Sequence, residues 1–544
     1  MMNRKMKFSK RLGAFQFIGA LLLILTSQAA FAQGEDPIKL IGKEQPKKAL
    51  GLLRQAVQST PTAQSWYNLG YGLLKTNENK EAETSFDKGI ALDDKMPLNY
   101  AGKGWLKLRE GNLNDAKLLF DKAIGLGKKN ADVYNAIGEA YLENPKFNAS
   151  AIEMLEKAVS INGQSAAAHL LLGDAYLKQN NANGGKAVSS YEKAASLSPK
   201  DGAPHFKVGI VYLRSTNYDV ALTSFLKAVE VDPAYAPAWS ELGELYYSQK
   251  KGPEAAQAQE KYLALTESTD PTGKVRLAFY QFMAKEFTKA VLTFDEAKKL
   301  GPLNETALRY LAFALSEAND TVRAPRAFEE YFAMAKPEKL EAADYSTYGK
   351  LLLKLKQDSL AVLAFDKSLQ IDPKQVSILQ LKAEALFKAK RYPEAATAYK
   401  ALMAARTKPL SADYFTLGRA YYNSKNYQPA DTAFQKLIEL QPNMTVGYLW
   451  AGRANSALDP ETETGVAKPF YEKLIEKALA TPDKYKKELI ESYSYLGYFF
   501  YLKKDYNESL ANWDKVLALD PKDERANEAK KAIIAIKNPP AKKP

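Results

Sequence analysis

The sequence repeats itself with a period of 34 residues: Trp66, Gly70, Ala82 and Phe86 return as Tyr100, Gly104, Ala116 and Phe120. A period of this size argues against a single packed globule, because each repeat is one supersecondary unit whose apolar face only its neighbour can cover. The apolar residues fall at helical spacing, so each period is read as two amphipathic helices. The Gly or Ala slots let the helices approach, and the aromatic slots fill the space between them. The turn inside a unit is expected to use Gly or Asn near a helix end, as in Glu110, Gly111, Asn112. The Asp-Pro pairs at Asp232, Asp372 and Asp520 stop second helices.

Several stretches sharpen the pattern: Trp66, Leu69, Gly70, Ala82, Phe86; Val208, Gly209, Tyr212, Ala221, Phe225, Ala228, Pro233; Trp239, Leu242, Gly243, Tyr246, Ala255. Later stretches are Tyr414, Leu417, Gly418, Tyr421, Ala430, Phe434, Pro442 and Tyr493, Leu496, Gly497, Trp513, Pro521. In these slots the chain resembles the tetratricopeptide-repeat family. The resemblance implies an all-α, right-handed superhelical solenoid of about thirteen helix-turn-helix units between Ala63 and Pro521. A half unit (46–61) precedes them. Two members are weak, because Ala278 and Ala312 stand where the family has Gly.

The ends and interruptions complete the organisation. Residues 1–32 place Arg4, Lys5, Lys7, Lys10 and Arg11 before an apolar run from Leu12 to Leu25 and a small-residue exit at Ala30, Phe31, Ala32. That order is a secretory signal peptide, expected to be cleaved after Ala32, with retention as an anchor the alternative. Residues 33–62 hold the half repeat and 63–475 the array. An extended linker helix and the last repeat are expected over 476–522, a capping helix over 523–537 and a disordered tail over 538–544. Insertions at Asn180–Gly185 and Asp459–Gly465 lengthen two intra-unit turns. The chain has no cysteine, which excludes a disulfide framework and thiol-linked lipidation. Losing the five basic signal residues lowers the net charge from +13 to +8, too diffuse an excess to indicate nucleic acid. The expected location is exported and periplasmic, with membrane association only through partners or an uncleaved signal.

Signals for chemistry are weak. His169 and His205 occupy the aromatic slot of successive units and are read as packing residues, with no third ligand specified for a metal. Gly127, Lys128, Lys129 and Gly185, Lys186, Ala187 lack the spacing of a phosphate loop. No Gly-x-Ser-x-Gly elbow or His-Glu-x-x-His pair occurs. Asp459, Glu461 and Glu463 only partly match a calcium loop, since Gly465 is one place late and Phe470 takes the slot of the bidentate Glu. Glu139 and Asp174 sit in equivalent slots of adjacent units, but nothing implies the enclosed pocket that acid-base work needs. No catalytic residue, metal or cofactor is assigned.

The resemblance supplies a different kind of site. In the family the first helix of each unit lines a groove, with side chains one and five residues beyond the aromatic slot pointing into it. Carried over, this places Tyr67 and Phe206 in the nearer slot. The farther slot takes Tyr71, Trp105, Glu139, Asp174, Ile210, Glu244, Phe279, Phe313, Lys350, Glu384, Arg419, Arg453 and Tyr498. Phe282 joins Phe279 and Phe313 in an apolar patch, between an acidic middle and a more basic end at Arg419 and Arg453. Chaperone-binding members grip a C-terminal carboxylate with a Lys in the nearer slot and an Asn in the farther one, and here no nearer slot holds Lys and no farther slot holds Asn. The implied function is an exported scaffold that binds protein or peptide segments within an envelope assembly or secretion system. A glycan-handling scaffold of polysaccharide export, with sugars stacked on Tyr67, Tyr71, Trp105 and Tyr498, is the other reading.

Overall fold

The computed structural model describes residues 36–179, 183–266 and 269–538. The expected signal segment, residues 180–182 at the start of the 180–185 insertion and residues 539–544 of the tail lie outside the described residues. The described chain is helical without strands and divides into two compact units, up to Tyr310 and from Leu311 onward.

The first unit opens with a short helix, Pro37–Gly42, whose N-terminus is capped by the Asp36 carboxylate. Helix Pro46–Ser59 follows and packs on Ala63–Lys75, as expected of a half repeat. Seven helical hairpins succeed it, from Ala63–Lys75 with Asn79–Leu92 to Pro271–Met283 with Phe287–Leu300. In the second unit five hairpins run from Ala342–Lys354 with Asp358–Ile371 to Lys486–Leu502 with Tyr506–Leu519. Between these sets come Glu305–Glu317, within which the boundary falls, and Ala324–Met334, a thirteenth pair in chain order.

One contact recurs inside the hairpins. A glycine of the first helix faces an aromatic ring of the second so closely that a Cβ at Gly70, Gly349 or Gly418 would stand 2.5 Å from Phe86, Phe365 or Phe434. The three rings are fully buried. Where Ala replaces the glycine, at Ala278 and Ala383, the alanine is fully buried as well and its hairpin is complete. The missing glycine at Ala278 therefore does not interrupt the array; Ala312, in the other weak member, is fully buried too, in the helix within which the unit boundary falls.

The turns correct one expectation. Gly111, Asn77 and Asn319 do adopt a positive φ as expected, but the equivalent residue elsewhere is Thr216, Lys250, Lys285, Lys356, Lys390, Lys425 or Lys504. The reason is the cap: the Lys390 amide donates to the carbonyl of Phe387 and the Arg391 amide to that of Leu386, closing the two loops of a Schellman motif. These bonds fix a left-handed residue whatever its side chain, at a cost that glycine would avoid.

The segment after residue 475 differs from the expected linker helix. Lys468–Ala478 ends, a 3-10 turn covers Pro482–Tyr485, and the added residues instead lengthen the next first helix, Lys486–Leu502, to 17 residues. The terminal helix Glu524–Lys537 buries Ala526 and Ile533 against the last hairpin and leaves Ile536 exposed. In the 459–465 turn the Asp459 carboxylate accepts from the amides of Glu463, Thr464 and Gly465 and from the Thr464 hydroxyl. Asp459 thus serves its own loop.

Candidate binding face

In each unit the side available to a ligand follows from which helices touch. Successive first helices pack on one another, as Ala63–Lys75 does on Pro97–Arg109 and Ser411–Asn423 does on Thr445–Leu458. The first-helix side is the tighter, inner one, and the residues expected to line a groove lie on it. The two units use that side differently.

In the first unit it is filled by the protein's own side chains. The Tyr71 hydroxyl donates to the Glu139 carboxylate at 2.9 Å across two repeats, and Lys75 adds an ion pair at 2.8 Å. Burial, with the Glu139 charge second, pushes the Tyr71 phenol well above its usual range. Tyr67 packs on Tyr71 and Phe86. Trp105, expected on the groove wall, is instead 1% exposed beneath Tyr71, with Lys75 and Arg109 against its ring. Slot position alone does not register how far the first helices converge, and here they close over the indole.

Farther along, Asp174 accepts from the Tyr191 hydroxyl at 2.7 Å and pairs with Lys207 at 2.9 Å. Each carboxylate of the Glu139 and Asp174 pair is thus neutralised by its own lysine. Phe206 lies against Phe225 and Tyr235, and Ile210 packs with the same cluster. Glu244 is exposed and pairs with Arg276 at 3.2 Å. Phe279 and Phe282 meet Tyr310 edge to face, so the apolar patch in this unit is a packed aromatic cluster. His169 lies 3.1 Å from the Gly163 carbonyl, and burial pushes the His205 imidazole below its usual value.

The second unit leaves charge unsatisfied on the same side. The farther slot runs Lys350, Glu384, Arg419, Arg453, Tyr498 along successive first helices. Phe313, ahead of these, packs on Phe328. Lys350 is exposed and forms no ion pair among the described residues. Arg453 is bidentate to Glu491 at 2.7 and 2.6 Å and lies over Trp450.

Arg419 differs from its neighbour. Its guanidinium stands 5.0, 5.6 and 5.5 Å from the ring centres of Phe387, Phe415 and Trp450. Its buried Nε has no hydrogen-bond partner, and no carboxylate pairs with it among the described residues. Past Arg453 an open cavity of about 660 Å³ is lined by Lys487, Glu491, Ser494, Tyr498 and Trp513 among others. Tyr498 is 44% exposed, the one exposed ring of the four considered for sugar stacking. The slot rule placed Arg419, Arg453 and Tyr498 on this row. It missed the rings of Phe387 and Trp450, which come from neighbouring hairpins.

Comparison with known proteins agrees with this architecture. Family models described as tetratricopeptide repeat match residues 63–96 and 166–201, 207–269, and 411–444. Protein O-mannosyl-transferase TMTC3 of Homo sapiens is 26% identical over 269 residues, 46% of this chain and 29% of that protein. Tetratricopeptide repeat protein 1 of Schizosaccharomyces pombe is 23% identical over 134 residues, 24% of this chain and 13% of that protein. The chain therefore spans less than a third of either curated relative. Among solved structures, the C-terminal part of a TPR repeat-containing protein from Cytophaga hutchinsonii is 32% identical. The match covers 47% of this chain and 98% of that one, with a TM-score of 0.37.

Proposed function

The chain belongs to the tetratricopeptide-repeat family, and on that premise we propose that it is a non-catalytic scaffold holding protein or peptide segments on the first-helix face of its second unit. One contrast carries the reading. The first unit satisfies its inner side with its own tyrosines, lysines and carboxylates, whereas the second presents Lys350 and Arg419 without an ion-pair partner among the described residues. Aromatic and Arg side chains are the usual anchors of protein recognition, and a repeat array offers them at fixed intervals. A scaffold rather than an enzyme is favoured because Glu139 and Asp174 are each tied to a lysine and a tyrosine.

The scaffold works outside the cytoplasm, within an envelope assembly or secretion system. Support for export is the basic, apolar, small-residue order of residues 1–32. Among the described residues no helix is long and apolar enough to cross a membrane.

Site-specific photo-crosslinking in the native cell tests the reading. A crosslinker replacing Lys350 is expected to trap a defined protein partner that one replacing Lys400, exposed on a second helix, does not. Equal trapping at both positions, or none at Lys350, counts against the binding face. N-terminal sequencing of the mature protein is expected to begin at Gln33, and a chain starting at Met1 in the cytoplasmic fraction contradicts export.

A further inference from the structure

We propose that Arg419 is the anchor for a peptide carboxylate, so that the segments held by the second unit are acidic. This rests on the scaffold reading and names its ligand. A guanidinium has five N–H donors and no acceptor, and in proteins it stays charged. Around Arg419 three aromatic rings displace water on several sides, at 5.0 to 5.6 Å from the charge. Their faces return part of the lost hydration as cation-π attraction. They cannot accept strong hydrogen bonds, and Nε is buried with none.

The fold shows what such a group does when a carboxylate is present. One hairpin on, Arg453 lies 4.9 Å from the Trp450 ring and is closed off by the Glu491 carboxylate in a bidentate pair. Arg406, on the preceding hairpin, is likewise closed off by Asp413 at 2.5 Å. Arg419 shares the Trp450 ring with Arg453 and has the same chemistry, with no carboxylate paired to it among the described residues. A ligand carboxylate completes it.

The charges flanking it fit an acidic segment. Lys350 and Lys487 are exposed on first helices on either side along the chain, and neither has an ion-pair partner among the described residues. Glu491 is neutralised by Arg453, whereas Glu384 accepts only from the neutral Gln380 amide and keeps its charge, which Lys350, Arg419 and Lys487 together outweigh. An extended peptide running along this side meets unneutralised positive charge at intervals, and the aromatic surround strengthens each charge-assisted bond by lowering the local dielectric.

The test uses the full mature chain and an array of extended decapeptides. The peptides carry Asp or Glu, their Asn or Gln counterparts, or mixed apolar residues, each with a blocked or a free C-terminus. Blocked acidic peptides are expected to bind at least about tenfold more tightly than their amide counterparts, the fold-change of one charge-assisted pair. Binding that needs the free C-terminus assigns the carboxylate to the chain end instead, and still places it on Arg419 if the variants agree.

Arg419→Gln is expected to lose about tenfold or more of acidic-peptide affinity and Arg419→Lys to recover part of it. Arg391→Gln, at an exposed pair with Glu394, is expected to change nothing. Circular dichroism of each variant separates lost binding from lost fold. Should Arg419→Gln fold normally and bind acidic peptides as tightly as wild type, the anchor is wrong. Should neutral peptides bind on the face while acidic ones do not, the scaffold reading stands and the acidic ligand falls. If no peptide of any composition binds, both fail.

Discussion

Lys43, just after the first helix, places its ammonium 2.9 Å from the carboxylate of Asp232, which lies 189 residues farther along the chain. Lys39 does the same with Asp201 at 2.8 Å, and the Tyr262 hydroxyl donates to Glu44 at 2.7 Å. The N-terminal segment therefore straps the turns before the fifth and sixth hairpins to the beginning of the array. This strap makes the first unit a closed body, consistent with an inner side that is internally satisfied.

The strap gives the first prediction. Lys43 is 16% and Asp232 9% exposed, so removing one partner leaves a largely buried charge unpaired. Lys43→Ala is expected to destabilise the first unit by about 1–3 kcal/mol. It should also raise amide hydrogen exchange over Pro37–Gly42. The exchange Lys43→Asp with Asp232→Lys should restore most of both, and a Lys43→Ala protein with unchanged exchange there would show the pair to be incidental.

The contact between glycine and aromatic ring gives the second. At Gly349 an added methyl would stand 2.5 Å from the buried Phe365 ring, which has no room to retreat. Gly349→Ala is expected to lower stability by about 1–3 kcal/mol in chemical denaturation. Ala383→Gly, in a hairpin already built around alanine, should cost no more than about 1 kcal/mol, the backbone-entropy cost of glycine in a helix.

Left-handed lysines give the third. Lys390→Gly and Lys425→Gly keep the cap hydrogen bonds and remove the side-chain penalty of a positive φ. Each is expected to stabilise the protein by about 0.5–1 kcal/mol. A loss of stability would mean that these lysines pack in a way their caps do not account for.

An alkaline transition gives the fourth. Burial and the Glu139 charge raise the Tyr71 phenol above its unfolded value, so the folded state keeps a proton that the unfolded state releases. Its contribution is complete below about pH 10 and fades as pH rises toward the folded value. The stability difference between wild type and Tyr71→Phe is expected to shrink between pH 9 and 11 (on the order of one unit around that value). A constant difference over that range would contradict it.

These cases mark how far the sequence could be read. Hairpins were legible because Gly70 with Phe86, or Gly418 with Phe434, is a local code: both partners lie within one period and must fit each other. The turns were read only in part, because the cap hydrogen bonds, which no residue type announces, allow lysine where glycine or asparagine was expected. Arg419 and Arg453 were legible as slot positions, yet their difference in pairing depends on Glu491, 38 residues beyond Arg453. Trp105 and the Lys43–Asp232 strap were illegible for the same reason on a larger scale, since both depend on how tightly successive hairpins curve.

The most direct measurement is hydrogen exchange by mass spectrometry on the full mature chain, with and without the bound protein segment. Added protection is expected on the first helices Ser411–Asn423 and Thr445–Leu458, with second helices such as Tyr427–Leu440 unchanged. Protection confined to second helices, or lying wholly within the first unit, would contradict a binding face built around Arg419.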